Sequence, residues 1–367
     1  MTEISIVVPT RNRAERLRAL LASLAEQDGP PFEVVVVDNA STDRTLAVVG
    51  DADAELDAHI RAIHLPQPMG PAIARNRGWQ SAQGGLVVFT DDDVVARPGW
   101  LKAIAAAHDR DPDALIQGRT EPDPREVHKL TAFSRSQEAT GPGPWFQTCN
   151  IAYPKTLLER LGGFDEGFWD AAGEDTDLGW RAIEAGTRVI YEPNALNWHA
   201  VHEPGALQLI RSTQKWRLAV RNLARHPQLR ESLHRRIFWK RSHERLLIAA
   251  AGIGLAAAAG SGRGGGFARR GGSGSLGASG RHGGSGSRGG SRSRRGSRSR
   301  RGSGSRGGSA LGIAVACAAF APYLTLHRKH HGSYPGTLAS LPAHVALDAA
   351  EIVAMVRGSI EARTLVL

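Results

Sequence analysis

The stretch Val87-Val88-Phe89-Thr90-Asp91-Asp92-Asp93 joins a hydrophobic run directly to three carboxylates. The run predicts a buried strand, and the three acids follow at its carboxyl end. Open α/β sheets bind their ligands at this edge. Three adjacent aspartates repel one another unless a cation lies among them. Because hard divalent cations take oxygen ligands and bridge phosphates, the stretch predicts a metal–diphosphate site, with a solvated acidic turn as the alternative.

The first 205 residues alternate short hydrophobic runs with segments of helical periodicity. The β-branched run at 4–8 predicts the first strand, and leucines at helical spacing predict a helix over 14–26. Further predicted elements are strands at 34–37, 60–65, 86–89 and 188–191 and a helix at 70–83. This order predicts an α/β domain with a mostly parallel sheet that helices cover on both faces.

Polar residues follow three of these strands. Pro9-Thr10-Arg11-Asn12 comes after the first strand, Asp38-Asn39 after the second, and Asp91-Asp92-Asp93 after a later one. Hydrogen-bonding groups that converge from three strand ends are typical of a nucleotide pocket. No GxxxxGK[ST] and no GxGxxG motif follows a strand, so a glycine loop is not expected to hold the phosphates. A metal ion and arginine are expected in its place.

Five blocks of sequence carry a family resemblance. In chain order they are VVPTRNRAERLRALLASL, EVVVVDNASTDRT, PMGPAIARNRG, FTDDDVVARPGWL and GGFDEGFWDAAGEDTDLGWRAIEAG. Together, over roughly residues 3–203, they resemble glycosyltransferase family 2 of the membrane-associated bacterial type, with the GT-A fold. The resemblance implies a nucleotide-diphosphate sugar donor, Mn²⁺ or Mg²⁺ as cofactor, and inversion at the anomeric carbon.

The resemblance also implies roles for residues around the donor. Thr10 and Asp38 would hold the base, Arg75 would lie near the base or the phosphates, Asp91 would contact the ribose, and Asp93 would bind the metal. The full set of expected nucleotide contacts is Pro9, Thr10, Arg11, Asp38, Arg75, Asp91 and Asp92. Alternatives remain open for single residues, because Asp38 is also suited to cap a turn and Arg75 to pair with a surface acid.

A second cluster, Gly173-Glu174-Asp175-Thr176-Asp177, supplies the expected base. An inverting transfer needs one carboxylate to take the proton of the acceptor hydroxyl. Asp175 matches the family's base and Glu174 is its neighbour. Acids at a helix start also complement the helix dipole, which is the structural alternative.

Histidine and tryptophan residues complete the expected site. His199 matches a position that adds a ligand to the metal in some family members, and His202 is a weaker candidate. An imidazole beside carboxylates suits Mn²⁺ better than Mg²⁺. Among Trp145, Trp169 and Trp180, we expect Trp169 to line the acceptor pocket, although all three are equally suited to be core residues.

The formal net charge of +10 comes from one tract. Residues 261–309 hold 12 of the 46 Lys and Arg residues and no Asp or Glu, which leaves 34 basic against 36 acidic residues elsewhere. The Gly/Ser/Arg composition of 260–309 predicts disorder, because it lacks the apolar residues that offset ordering entropy. A basic tract of this kind is suited to bind RNA, anionic lipid or acidic glycan. The alternative is a low-complexity expansion that is tolerated in a loop. For the protein as a whole we expect no nucleic-acid partner.

Two uncharged runs, at 246–259 and 310–326, flank the tract. Both are shorter than the about 20 residues of a spanning helix, so they predict membrane helices or a shallow hairpin. Basic residues outside both runs place their outer ends on the cytoplasmic side. The expected domains are a catalytic domain 1–205, a basic amphipathic segment 206–245, the two runs with the linker 260–309 between them, and a helical cytoplasmic tail 327–367.

The sequence thus predicts an inverting, metal-dependent glycosyltransferase on the cytoplasmic face of the cell membrane. It would move one hexosyl or deoxyhexosyl unit from a nucleotide sugar to a lipid-linked or cell-envelope glycan acceptor. A UDP-sugar is the favoured donor, and dTDP- and GDP-sugars are the alternatives. Two other classes of function stay open: a sugar-nucleotidyltransferase, and a non-enzymatic RNA-binding or scaffold protein that acts through the Arg/Ser/Gly tract.

Overall fold

The structure is a computed structural model that describes residues 3–53, 59–261, 306–331 and 334–367. It divides into two compact units, Met1–Glu244 with His327–Leu367, and Arg245–Leu326. The predicted disordered tract at 260–309 lies almost entirely outside the described residues.

Eight strands form one sheet in the first unit. They are β1 Ile4–Thr10, β2 Phe32–Asp38, β3 His59–His64, β4 Leu86–Thr90, β5 Val94–Ala96, β6 Leu115–Pro122, β7 Asn150–Pro154 and β8 Val189–His199. Their order is β3-β2-β1-β4-β7-β6-β8-β5. Strands β3, β2, β1 and β4 pair with one another in parallel. Strand β7 is antiparallel to both β4 and β6, and β6 pairs in parallel with β8.

Helices connect and follow the strands. They are α1 Ala14–Ala25, α2 Thr45–Asp53, α3 Pro71–Ser81, α4 Trp100–Arg110, α5 Lys155–Leu161, α6 Glu174–Glu184, α7 Gly205–Ser212, α8 Trp216–Arg225, α9 Arg241–Ser261, α10 Arg306–His331 and α11 Tyr334–Ala362. The α/β class with a mostly parallel sheet and a helical C-terminal region is confirmed.

Both faces of the sheet are buried, because alternate residues of each strand point to opposite sides. Ile6 and Val8 of β1 join a core with α1 and α4, whereas Val7 joins a core with α3, α5 and α6. Gly78 of α3 lies directly on this second face, where an added Cβ would come within 2.3 Å of Val7 Cγ1. Near-continuous burial on both faces explains why the strands appear as uninterrupted hydrophobic runs.

The parallel strands bring the predicted polar residues to one edge. Thr10 and Asp38 are directly paired at the ends of β1 and β2, and β4 ends at Thr90, immediately before the three acids. The last strand is longer than the predicted 188–191, since β8 continues to His199 and pairs with β5 beyond the acids. His199 therefore pairs with Val94, the residue that follows Asp93 in the chain.

The C-terminal helix α11 packs on α8 within the first unit. Gly358 allows the close approach, because a Cβ there would lie 2.7 Å from the carbonyl oxygen of Arg217. Asp348 and Glu351 are buried on the inner side, and Lys240 Nζ lies 2.7 Å from a Glu351 carboxylate oxygen. The outer side of α11 carries the exposed aliphatic residues Leu338, Val353, Val356 and Ile360 together with the exposed charges Arg357 and Glu361. The outer side is therefore amphipathic, and the inner side holds two buried acids.

By length and composition, one helix among the described residues could cross a membrane, Gly336–Ala362, with a mean hydropathy of 1.4 and 33% of its most apolar window buried in the protein. A shorter apolar helix spans Ile313–Arg328. The candidate therefore lies in the predicted cytoplasmic tail 327–367, rather than in the runs 246–259 and 310–326. The two predicted runs contain no charged residue, whereas α11 reaches its hydropathy with a few charged residues spread along it.

Candidate active site

A cleft of about 670 Å³ opens at the carboxyl ends of β1 and β4, and is called the acidic cleft. Its lining includes Pro9, Thr10, Arg11, Arg13, Arg75, the acids Asp91 to Asp93, His199 and His202. Its volume is within the roughly 300–1,000 Å³ of typical small-molecule sites. Most of the residues expected to bind the nucleotide are thus brought together in one space.

Arg13 neutralises two of the three aspartates. Its Nη1 lies 2.8 Å from Asp92 Oδ1 and 2.6 Å from Asp93 Oδ2. Thr10 also donates its hydroxyl to Asp92 Oδ2 at 2.7 Å. Burial and the neighbouring Asp93 charge nevertheless raise the pKa of Asp92 to about 6. The expected repulsion among the acids is therefore relieved in part by a side chain of the protein itself.

Asp93 lies at the centre of a group of metal-type ligands. It is buried, and ligand atoms of Asp93, His199 and His202 lie within 4.8 Å of one another. His202 Nε2 is 2.7 Å from Asp93 Oδ2, and His199 Nε2 is 3.4 Å from Asp93 Oδ1, which has no hydrogen-bond partner among the described residues. Although burial alone raises it, the hydrogen bond from His202 and the charges of His199 and Arg13 lower the pKa of Asp93. One ionised carboxylate with an unpaired oxygen and two imidazoles fit a divalent cation, with a preference for Mn²⁺ over Mg²⁺.

Asp38 differs from the other expected nucleotide contacts. Its side chain is fully buried, Oδ1 accepts a hydrogen bond from the Ser41 backbone at 3.1 Å, and Oδ2 is 2.7 Å from His64 Nδ1. These bonds hold the loop that follows β2. The turn-capping alternative therefore describes what Asp38 does in this structure, whereas Pro9, Thr10 and Arg11 face the acidic cleft.

Arg75 connects the two acidic clusters. It is 5% exposed, its Nη2 lies 3.0 Å from Asp91 Oδ1, and its Nη1 lies 2.9 Å from Glu174 Oε1. Glu174 Oε2 accepts a further hydrogen bond from the Ala172 backbone at 3.0 Å. Both oxygens of Glu174 are therefore occupied, and Glu174 orients Arg75 at the rim of the acidic cleft.

Asp175 is the partly accessible acid at the start of α6. Its Oδ1 accepts the Thr176 backbone N–H at 2.7 Å, which fixes the carboxylate. Burial, and next the charge of Glu174, raise the pKa of Asp175 to about 7. A base is most effective when its pKa is close to the working pH, so the position is chemically suited to general-base catalysis.

A second cavity, of about 240 Å³, adjoins Asp175 and is called the tryptophan cavity. Trp145, Trp216 and Trp239 line it together with Leu223 and Leu229, and it shares Arg75, Asp91 and Trp216 with the acidic cleft. The sequence prediction chose a different tryptophan. Trp169 is 50% exposed. The guanidinium carbon of Arg217 lies over its indole ring, 5.3 Å from the ring centre. Trp180 donates to the Pro144 carbonyl and is packed near Phe146.

Sequence reasoning missed Arg13 and gave too little weight to His202. Arg13 lies three residues beyond the end of β1, in the polar loop whose earlier residues are predicted nucleotide contacts. Its position one residue before α1 was a usable signal, because the first turn of α1 faces the same sheet edge. His202 lies beyond β8, and no pattern in the chain indicates how the backbone turns after that strand.

Comparisons with known proteins find similar glycosyltransferases. Residues 5–164 match the family described as Glycosyl transferase family 2. The pre-mycofactocin glycosyltransferase of Mycobacterium tuberculosis is 33% identical over 212 residues, which cover 54% of this chain and 42% of that protein. The validoxylamine A glucosyltransferase of Streptomyces hygroscopicus subsp. limoneus is 32% identical over 238 residues, with 54% and 52% covered. The chain thus spans about half the length of these curated relatives.

A solved structure is also similar in part. The mannosyltransferase PcManGT of Pyrobaculum calidifontis, in complex with GDP-Man and Mn²⁺, has a TM-score of 0.49 and 28% identity, with 61% of this chain and 64% of that chain covered. The matched residues 5–164 include Thr10, Arg13, Arg75 and the three aspartates of the acidic cleft, so this part of the chain is of the glycosyltransferase family 2 type. The resemblance read from the five sequence blocks is confirmed.

Proposed function

We propose that the chain is an inverting, metal-dependent glycosyltransferase that moves one sugar from a nucleotide-diphosphate donor to an acceptor hydroxyl. The observation that carries the proposal is the pair of adjoining cavities. One contains a metal-type ligand group beside arginines, and the other contains a base with a raised pKa. Family membership supports sugar transfer over nucleotidyl transfer.

The chemistry follows from the placement of the charges. Asp175 takes the proton of the acceptor hydroxyl, the oxygen bonds to the anomeric carbon, and the bond from that carbon to the diphosphate breaks on the opposite side, which inverts the configuration. A divalent cation held by Asp93, His199 and His202 would neutralise the charge that develops on the departing diphosphate. Arg13 and Arg75 place two further cations at the same cleft.

Donor and acceptor classes are part of the proposal. A UDP-sugar is the favoured donor, with dTDP- and GDP-sugars as alternatives, and a hexose or deoxyhexose is transferred. The acceptor is a lipid-linked or cell-envelope glycan. The exposed aliphatic residues of α11 and its hydropathy support membrane association, since an amphipathic helix of this kind is suited to lie on lipid, and the catalytic domain would face the cytoplasm.

The test is a donor screen with the purified full chain. UDP-glucose, UDP-GlcNAc, GDP-mannose and dTDP-rhamnose are each supplied with Mn²⁺, Mg²⁺ or EDTA, and release of nucleoside diphosphate is measured. We expect at least one donor to be hydrolysed only when metal is present. In Asp175→Asn, transfer should fall by about 10²–10⁴-fold while donor affinity is unchanged. Full transfer activity in that variant, or calorimetry that detects no donor binding with either metal, contradicts the proposal.

A further inference from the structure

One wall of the tryptophan cavity comes from residues outside the matched family region. Trp216, Leu223, Leu229 and Trp239 all follow residue 164, where the family match ends, whereas Trp145 lies within it. The apolar group behind this wall includes Met355 of α11, Val220 and Val366.

One buried polar atom in the wall of the cavity lacks a partner. Asn222 is 3% exposed, and its Nδ2 donates to the Gly173 carbonyl at 2.7 Å. Its Oδ1 is buried and accepts no hydrogen bond from any described residue. Buried side-chain oxygens are normally satisfied, so this oxygen, on a residue that lines the cavity, is suited to accept a hydrogen bond from a ligand that displaces its cover.

The Asn222 side chain is held in place at that wall. Gly173 has a φ of +107°, and an added Cβ there would lie 2.5 Å from Asn222 Nδ2. The amide therefore lies directly over the backbone that precedes Asp175, and its Nδ2 is used by the Gly173 carbonyl. Asn222 and Asp175 thus both line the tryptophan cavity.

The helix that carries Asn222 is fixed to the helix that carries Asp175. Asp177 of α6 is fully buried, and its carboxylate lies 2.7 Å from Arg225 Nη1 and 3.5 Å from His226 Nε2. Arg225 ends α8 and His226 follows it. These ion pairs fix α8, which carries Asn222, against α6, which carries Asp175.

The aromatic wall favours a ring-shaped ligand. The Trp239 ring centre lies 5.5 Å from that of Trp145 and 6.0 Å from that of Trp216, with interplanar angles of 57° and 41°. Tilted rings of this kind form a curved wall rather than a closed stack. Aromatic faces carry negative potential and attract the slightly positive C–H groups on the face of a saturated ring. The backbone of Trp239 is fixed by a 2.7 Å hydrogen bond to the Leu367 carbonyl.

We propose that the tryptophan cavity binds a single polyhydroxylated ring, one sugar or cyclitol, that stacks on Trp216 and Trp239, donates a hydrogen bond to Asn222 Oδ1 and presents a second hydroxyl to Asp175. The volume of about 240 Å³ supports one ring, because it is smaller than the roughly 300–1,000 Å³ of sites for larger ligands. Any remainder of the acceptor extends outward. This inference rests on the proposed function and defines its acceptor end.

The first experiment uses the full chain with its best donor and three probes: myo-inositol, methyl β-D-glucopyranoside and cyclohexanemethanol. The first two have a reacting hydroxyl and further donors, whereas the third has one hydroxyl only. We expect at least one polyol to accelerate nucleoside diphosphate release and to change tryptophan emission, and cyclohexanemethanol to act at least about tenfold more weakly. If neither polyol has an effect, or if cyclohexanemethanol is the better acceptor, the inference is wrong.

The second experiment uses variants of the cavity wall. Asn222→Ala should raise the acceptor KM by about 3–10-fold, as expected for one hydrogen bond. Trp239→Leu should raise it further, and Trp239→Phe should restore much of the loss. Hydrolysis of donor without acceptor is measured in all three as the reference, and the ratio of transfer to hydrolysis should fall most in Trp239→Leu. Asn194→Ala removes an exposed asparagine of β8 and is the matched control.

The outcomes separate the two proposals. If the wild-type chain hydrolyses no donor, the proposed function fails. If donor hydrolysis persists and the acceptor KM is unchanged in Asn222→Ala and Trp239→Leu, the inference alone is overturned. Should Asn222→Ala not fold, Asn222→Ser keeps a small polar side chain and gives the same reading. If Trp169→Ala rather than Trp239→Leu raises the acceptor KM, the ring binds elsewhere and the inference is wrong.

Discussion

The acidic cleft and the tryptophan cavity share Arg75, Asp91 and Trp216, yet they are built in different ways. The three aspartates of the acidic cleft are adjacent in sequence and directly follow β4, and Arg13 and the histidines reach them from distant segments. The walls of the tryptophan cavity come from segments that lie up to more than a hundred residues apart in the chain and are held together by packing. The contrast indicates that the acids of the first cavity are specified locally, whereas the whole wall of the second depends on tertiary contacts.

The largest effect is expected in the acidic cleft. Asp93→Asn removes the carboxylate that lies against both histidines, so metal-dependent release of nucleoside diphosphate should fall by about 10²–10³-fold. Steady-state release and calorimetric Mn²⁺ binding measure the loss. Asp113→Asn, an exposed aspartate remote from both cavities, is the control. Retention of Mn²⁺ affinity in Asp93→Asn would place the metal elsewhere and remove the distinction between the two regions.

A second prediction concerns pH and the base. Since the pKa of Asp175 is raised to about 7, the carboxylate is protonated and inactive as a base below that pH. The value of kcat/KM should therefore fall about tenfold for each pH unit below the pKa and reach a plateau above it. In Glu174→Gln the neighbouring negative charge is gone, so the pKa of Asp175 should decrease and the acid limb should move to lower pH.

Glu159→Gln, at an exposed position of α5, is the control for this profile. An acid limb that stays in place in Glu174→Gln would show that Asp175 is not the titrating base. An acid limb that moves to higher pH would show that Arg75, whose charge lowers the pKa of Asp175, no longer lies beside it once Glu174 is neutral. Either result would weaken the proposed division of labour between the acidic cleft, which would bind the metal, and the tryptophan cavity, which would contain the base.

The smallest effect is expected where α11 supports the tryptophan cavity. Gly358→Ala places a Cβ against the backbone of Arg217, so it should destabilise the packing of α11 on α8 by about 1–3 kcal/mol. We expect a lower melting temperature and a higher acceptor KM, with donor hydrolysis unchanged. Gly254→Ala in α9, where an added Cβ meets no atom within 4 Å, is the control. Equal effects on donor and acceptor kinetics would show that the two regions do not act separately.

Much of the donor side could be predicted from the chain. A hydrophobic run followed by Asp91 to Asp93 specifies a strand and the acids at its end, because strand burial and strand ends are local properties. The same holds for Thr10 after β1 and Asp175 at the start of α6. Arg13 could not be assigned with equal ease, because only the structure shows its side chain between Asp92 and Asp93.

The lining of the tryptophan cavity could not be predicted, for the complementary reason. Trp169 lies within a family block and stays the predicted acceptor contact, whereas Trp216 and Trp239, which line the cavity, lie in the segment predicted to be basic and amphipathic. Which tryptophan faces Asp175 depends on the ion pairs of Asp177 with the end of α8 and on the packing of α11. None of these contacts leaves a pattern in the sequence, because their partners are distant along the chain.

The sequence by itself determined the α/β class, the edge of the sheet that carries the charges and the family of the domain, since each rests on hydrophobic periodicity and on residues that are neighbours in the chain. Only the tertiary structure decided that Arg13 and His202 join the acids, that Asp38 is enclosed by its own loop, and that three distant tryptophans surround the space beside Asp175. Long-range packing sets these positions, because a side chain's direction depends on partners that local sequence does not specify.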